Sequence, residues 1–228
     1  MKTIFHGSKN IIEQPKFGLG NIWNDYGRAF YCTESLELAR EWACQEPVNG
    51  YTNQYELEMD NLRVLNLDNG EYHILNWLAI LLENRTFRKE SDLAKEGAKY
   101  VRETFLPDYL DYDVIIGYRA DDSYFSFANA FLNNMISLEK LEKAMYLGTL
   151  GEQVAIKSEK AFECLKYVSS ERVDCTEYYA KRLSRDQEAR GLFALMKGTR
   201  TVDGIYLVDI IRQQWRNDDE RIQRIISG

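Results

Sequence analysis

The sequence predicts an α+β fold, on three observations. Short segments with strand-like alternation recur between residues 2 and 157; amphipathic helical patterns separate them; and no apolar run approaches the roughly 18 residues a membrane helix needs. With 228 residues, 45% hydrophobic and 13% aromatic, the chain is long enough for one packed domain with elaborations.

The elements follow in order. Residues 2–6 read as a strand ending at the Gly7-Ser8 turn, and a glycine-rich loop from Phe17 to Gly27 leads to a second strand at Ala29–Cys32. Thr33 or Ser35 caps a helix running to Cys44, with Glu34, Glu37 and Glu41 expected on its solvent side. Strands are expected at 54–59 and 62–67, then helices at 71–84 and 91–105, the first apolar over much of its circumference and the second capped by Ser91. Asp113–Gly117 reads as a buried strand, 125–135 and 138–146 as helices, and 152–157 as a strand entered from a glycine turn. Residues 159–165 form a further helix or connection. From residue 169 the texture changes to charge-rich helices at 176–196 and 205–226, so a core over 1–168 and a helical extension over 169–228, packed on that core, are expected.

Charge and cysteine content narrow the function classes. The formal charge is −7; residues 157–228 hold 14 basic and 12 acidic side chains, a net +2, which leaves 15 and 24, a net −9, for residues 1–156. That balance disfavours nonspecific binding to phosphate backbones. Cys32, Cys44, Cys164 and Cys175 lack metal-knuckle spacing and read as free thiols, so no metal is expected. With no basic-then-apolar leader and no membrane span, a cytoplasmic location is expected.

Two motifs carry the chemistry. His6-Gly7-Ser8 follows the first strand, and Gly27-Arg28-Ala29-Phe30-Tyr31-Cys32-Thr33 follows about twenty residues later, with Trp42 on the next helix eleven residues beyond Tyr31. Each has an ordinary reading alone: His6 as a strand-end polar group, Arg28 as a surface cation, Trp42 as core. Jointly they resemble the opening of an ADP-ribosyltransferase, which implies the cleavage of NAD. Breaking its nicotinamide–ribose bond calls for a hydrogen-bonding anchor, backbone contacts to the carboxamide and aromatic faces around the ring, which His6, Gly7 and Tyr31 can supply in turn. Arg28 can meet the pyrophosphate through its forked guanidinium.

These residues resemble the His-Tyr-Glu branch of the ADP-ribosyltransferases, the branch of diphtheria-like toxins and poly(ADP-ribose) polymerases. His6-Gly7-Ser8, Asp25-Tyr-Gly-Arg-Ala-Phe-Tyr31, Arg119-Ala-Asp-Asp-Ser-Tyr-Phe125 and Leu150-Gly-Glu-Gln-Val154 together resemble, over roughly residues 3–168, a bacterial domain-of-unknown-function family placed in that superfamily. The resemblance implies two small, mostly antiparallel sheets packed as a split sandwich around an NAD cleft, with helices bracing the outside. It implies catalytic roles for His6, Tyr31 and Gln153, and NAD contacts from His6, Gly7, Ser8, Arg28, Tyr31 and Trp42. Gln153 stands where the branch carries its Glu, a departure; strand alternation lets only one of Glu152 and Gln153 face the cleft. Asp121 or Asp122 can supply a carboxylate that Gln153 lacks, or cap a helix.

The implied function is a mono-ADP-ribosyltransferase of the toxin or defence-effector kind. It would modify a protein or nucleic-acid acceptor, protein being favoured by the net acidity, and be neutralised by a small antitoxin protein. An NAD glycohydrolase and a catalytically inactive NAD-binding or partner-binding module are the alternatives.

Overall fold

A computed structural model describes residues 1–44, 48–87, 91–120, 122–149, 151–199 and 203–222. Its α+β framework holds two small sheets. In one, β1 (Lys2–Ser8) pairs antiparallel with β3 (Gly50–Leu57), and β3 with β7 (Leu165–Val173). In the other, β2 (Phe30–Cys32), β6 (Glu152–Ile156), β5 (Val114–Tyr118) and β4 (Val64–Asn66) lie side by side, antiparallel except for the β4–β5 pair. The sheets are stitched at one point, where Phe5 and Thr33 exchange backbone hydrogen bonds of 2.7 and 2.9 Å.

Alternation along the strands sorts two apolar layers. Val154 and Ile156 of β6, with Val114 and Ile116 of β5, face Ile4, Tyr55 and Leu57 of the first sheet. Ala155 and Ile115 face the opposite way, onto a helical layer built on α2 (Ile74–Asn84), which is buried from Ile74 to Leu82, and on α3 (Asp92–Phe105) and α4 (Asp122–Leu132). Ser91 caps α3, accepting from the Ala94 N–H at 3.1 Å. Ser35 caps α1 (Leu36–Ala43), and Thr33 Oγ1 accepts from the Ser35 N–H. Helix α5 (Leu138–Ala144) and the short α6 (Glu159–Glu163) complete the core.

The C-terminal region differs from expectation in two places. The sheet continues through β7 to Val173, past the expected boundary at 168. Its sequence conceals it, because an edge strand with charged, mostly solvent-facing side chains lacks the apolar alternation of a buried strand. The single helix expected over 205–226 is interrupted: α8 spans Leu207–Arg212, after which Gln214 adopts φ 52° and Trp215 N–H closes back on the Ile210 carbonyl at 3.1 Å. That turn buries Trp215 against the core. Helix α7 (Cys175–Gly198) lies where expected, packing Phe193 on Phe127 with ring centroids 4.0 Å apart. It also covers α1, so Glu41, expected in solvent, is buried and bonded to Arg185 Nε and Nη2 at 2.8 and 2.7 Å.

All four cysteines are free, and among the described residues no cluster of His, Cys, Asp and Glu could hold a metal ion. No helix among them is long and apolar enough to cross a membrane.

Candidate active site

The cavity begins where the stitch between the sheets ends. Continuing the Phe5–Thr33 register would pair Gly7 with Tyr31. The ladder stops there because His6 Nδ1 reaches the Tyr31 carbonyl first, at 2.7 Å. Phe5 directs its N–H and C=O away from β3, so Gly7, two residues on, does the same. The Gly7 peptide edge therefore faces the opening between the sheets, a cavity of about 830 Å³ that both His6 and Gly7 line. This volume lies within the roughly 300–1,000 Å³ typical of small-molecule and cofactor sites. Glycine is required at this position: a Cβ would fall on the Ala39 carbonyl oxygen and 2.6 Å from the Ala43 nitrogen of α1.

A carbonyl can only accept, so the His6–Tyr31 contact fixes the proton on Nδ1 and leaves Nε2 as a hydrogen-bond acceptor. Burial lowers the His6 pKa, which keeps the ring neutral, and the ring stacks on Phe30 at 4.3 Å between centroids. Tyr31 spends its hydroxyl on structure, donating to the Gly27 carbonyl at 2.6 Å and accepting from the Tyr26 N–H at 3.1 Å. It thereby clamps the turn in which Gly27 takes φ +77°, and its ring is what it offers to the cavity. Burial pushes its phenol well above the ordinary range.

Trp42 lines the same cavity from α1. The Arg119 guanidinium lies over its ring, 4.0 Å from the centroid, and its buried indole Nε1 donor has no partner among the described residues. Arg28 is an exposed cation on the cavity wall. Ser8 is not at the cavity. Its hydroxyl donates to the Asn10 carbonyl and accepts from Asn53 Nδ2, fastening the start of the long β1–β2 connection. That connection forms one side of the cavity, held by Ile12 N–H on Asn53 Oδ1 at 2.8 Å and by Phe17 edge-on to Phe162.

On β6 the alternation resolves the choice between the two neighbours. Gln153 is buried and lines the cavity, whereas Glu152 is turned to the other side of the strand, near Asp68 and Glu34, where burial raises its pKa. The Gln153 Nε2 amide donates to Asp25 Oδ2 at 2.8 Å and to the Tyr118 carbonyl at 3.2 Å. Both amide hydrogens are thus committed, and Oε1 remains as the acceptor. Asp121, a candidate carboxylate, lies outside the described residues, and so does the side chain of Asp122.

The carboxylate at the site is Asp25, to which the sequence pattern assigned no role. It is 5% exposed and accepts three donors: Gln153 Nε2, the Ala120 N–H at 2.9 Å, and Arg85 Nη1 at 3.2 Å. Its adjacency to the Gly27 turn is visible in the sequence; its contact with Gln153, 128 residues away, is not. Cations dominate the rest of the lining. Among the described residues that line it, Lys16, Arg28, Arg85, Arg119 and Lys157 stand with the carboxylate of Asp25, on a chain whose net charge is −7. Lys157 sits over the Tyr109 ring, and burial lowers its ammonium to about 8, so it stays mainly charged at neutral pH. An 830 Å³ cavity with aromatic walls, an open peptide edge and this excess of cations suits an anionic ligand that also carries rings and amides.

No curated protein and no solved structure matches the chain. A family model described as "Protein of unknown function (DUF3990)" matches residues 2–167, which take in β1 to β6 and every residue of the cavity; the chain belongs to the DUF3990 family.

Proposed function

We propose that the protein is a mono-ADP-ribosyltransferase of ADP-ribosyltransferase-like split-sandwich fold, which binds NAD in this cavity and transfers ADP-ribose to a macromolecular acceptor. The observation that carries the proposal is convergence. His6 on β1, Tyr31 on β2 and Gln153 on β6, read from separate parts of the sequence, line one cavity.

Each group has work suited to that ligand. His6 Nε2 accepts from a ribose hydroxyl, and the open Gly7 edge offers both a donor and an acceptor to a carboxamide. The Tyr31 and Trp42 rings flank a planar pyridinium, and Arg28 offers its fork to the pyrophosphate. Gln153 Oε1 accepts from the second ribose. When bound, NAD supplies a cationic leaving group already attached to the carbon at which transfer occurs. A protein acceptor agrees with the acidic balance of the chain outside the cavity, and a toxin or defence role with a small neutralising partner is part of the same proposal.

The test is incubation of the purified protein with NAD labelled in its adenylate half and a bacterial lysate, beside His6→Ala. Label on protein, lost in the variant, is expected. Nicotinamide release with free ADP-ribose and no labelled macromolecule would make water the acceptor, and absence of release would leave a binding module.

A further inference from the structure

We propose that Asp25 is the anionic residue of this site: it fixes Gln153 with Oε1 toward the cavity, and its buried charge faces the positive charge that develops as the nicotinamide–ribose bond breaks. This rests on the transferase reading. Gln153 occupies a position where a carboxylate would both accept from a hydroxyl and offset positive charge. A neutral amide does only the first. The second function is displaced one side chain back, onto an Asp from the β1–β2 connection.

The geometry supports a carboxylate held ionised and oriented. All three polar partners of Asp25 are donors: the Gln153 amide, the Ala120 N–H and the Arg85 guanidinium. None offers an acceptor for a carboxylic acid proton. Two hydrogen bonds on Oδ2 and one on Oδ1 leave it no rotational freedom, and the Gln153 amide is itself clamped between Asp25 and the Tyr118 carbonyl. Asp25 is thus a positioning residue for Gln153 as well as a fixed charge. In the transfer, the C1′–N bond breaks with its electron pair going to the nicotinamide nitrogen, which leaves neutral. A lone pair of the acceptor forms the new bond to C1′, and the acceptor's proton passes to water. Asp25 takes no part in bond making; its charge is worth most at the transition state, because the burial that shields it from water also leaves it unscreened.

The charged and titratable groups facing Asp25 are Arg85 after α2, Arg119 after β5, and Tyr26 and Tyr31 on its own connection and β2. Burial raises the Asp25 pKa and the hydrogen bonds and arginines oppose that rise, so an acid limb in kcat is expected above the ordinary carboxylate value, with both phenols neutral throughout.

The experiment measures nicotinamide release and NAD affinity for the wild type, Asp25→Asn, and the exchange variant Asp25→Asn with Gln153→Glu, which returns one carboxylate to the pair. Asp25→Asn is expected to lower kcat about 100-fold to 1,000-fold, the scale of removing one preorganised electrostatic group, with NAD affinity within about threefold. The exchange variant is expected to regain at least about tenfold of that loss, which a merely structural role for Asp25 would not produce. Wild-type turnover with Asp25→Asn within about threefold of it would overturn the inference and leave the transferase reading standing. So would an exchange variant no faster than Asp25→Asn while both bind NAD normally. A wild type that releases no nicotinamide overturns the transferase reading itself, and this inference with it.

Discussion

Glu41 and Asp25 are two buried carboxylates, 8% and 5% exposed, and each meets an arginine. Glu41 lies between α1 and α7, where Arg185 brings two nitrogens within 2.8 Å of Oε2 and the pair ties the C-terminal helix to the core. Asp25 lines the cavity. Its arginine contact is longer, at 3.2 Å, and it shares its charge with a backbone N–H and the Gln153 amide. The first arrangement closes an interface. The second keeps a charge oriented toward an open space and is held there against its desolvation by several weaker partners. Similar burial therefore serves two purposes, and what separates them is whether the neighbours leave room for a ligand.

The sharpest way to break this contrast is to remove each charge. Asp25→Asn should cost about 3–4 kcal/mol of transition-state stabilisation, read as kcat, and its thermal stability relative to wild type should improve from acid to neutral pH. The sign follows from the direction of its pKa. A carboxyl whose folded value is raised binds its proton more tightly in the folded state, so its charge opposes folding at pH 7, and that opposition fades as pH falls through the folded value. A melting gap between Asp25→Asn and wild type that narrows from acid to neutral pH checks this. Glu41→Gln should do the reverse, losing about 2 kcal/mol in denaturant unfolding because the two charge-assisted hydrogen bonds from Arg185 to Oε2 are weakened, while nicotinamide release per folded molecule is unchanged.

Gly7→Ala should cost about 2–3 kcal/mol, since backbone atoms of α1 stand where the methyl would go, and it should weaken NAD binding by displacing the cavity wall; calorimetric melting and titration measure the two effects. The two histidines give a smaller contrast. His73, at the N-terminal cap of α2, is locked to Asn217 at 3.0 Å and its pKa is lowered by burial to about 4. Protonation there favours the unfolded chain, so stability held above 6.5 is lost as pH falls toward about 4, by about 2 kcal/mol. A flatter unfolding profile across that window in His73→Asn checks it. His6→Ala should weaken NAD about 10-fold to 100-fold, the scale of one buried hydrogen bond, by titration calorimetry.

Much of the site was legible because its parts lie in local motifs. His6, Gly7, Tyr31 and Trp42 sit at strand and helix positions that period and turn residues identify, and the alternation of β6 alone states that Glu152 and Gln153 diverge. Asp25 heads one of the motifs of the resemblance, but its part in the site is not legible until folding brings Gln153 and Arg85 to it. Ser8 looked equivalent to its neighbours, yet its hydroxyl is taken by the loop it begins. In the fold, α2 announced itself by being apolar all round, whereas β7 is an edge strand whose polarity resembles a loop. Glu41 was assigned to solvent by helical period, which cannot foresee a second helix from the far end of the chain covering that face.

The most direct measurement is single-turnover release of nicotinamide from NAD by purified wild-type protein in excess over substrate, with His6→Ala beside it. Release by the wild type that falls at least about tenfold in the variant is expected of a cavity built to hold and cleave NAD. No release from the wild type, with the protein folded and in saturating excess over NAD, would contradict it.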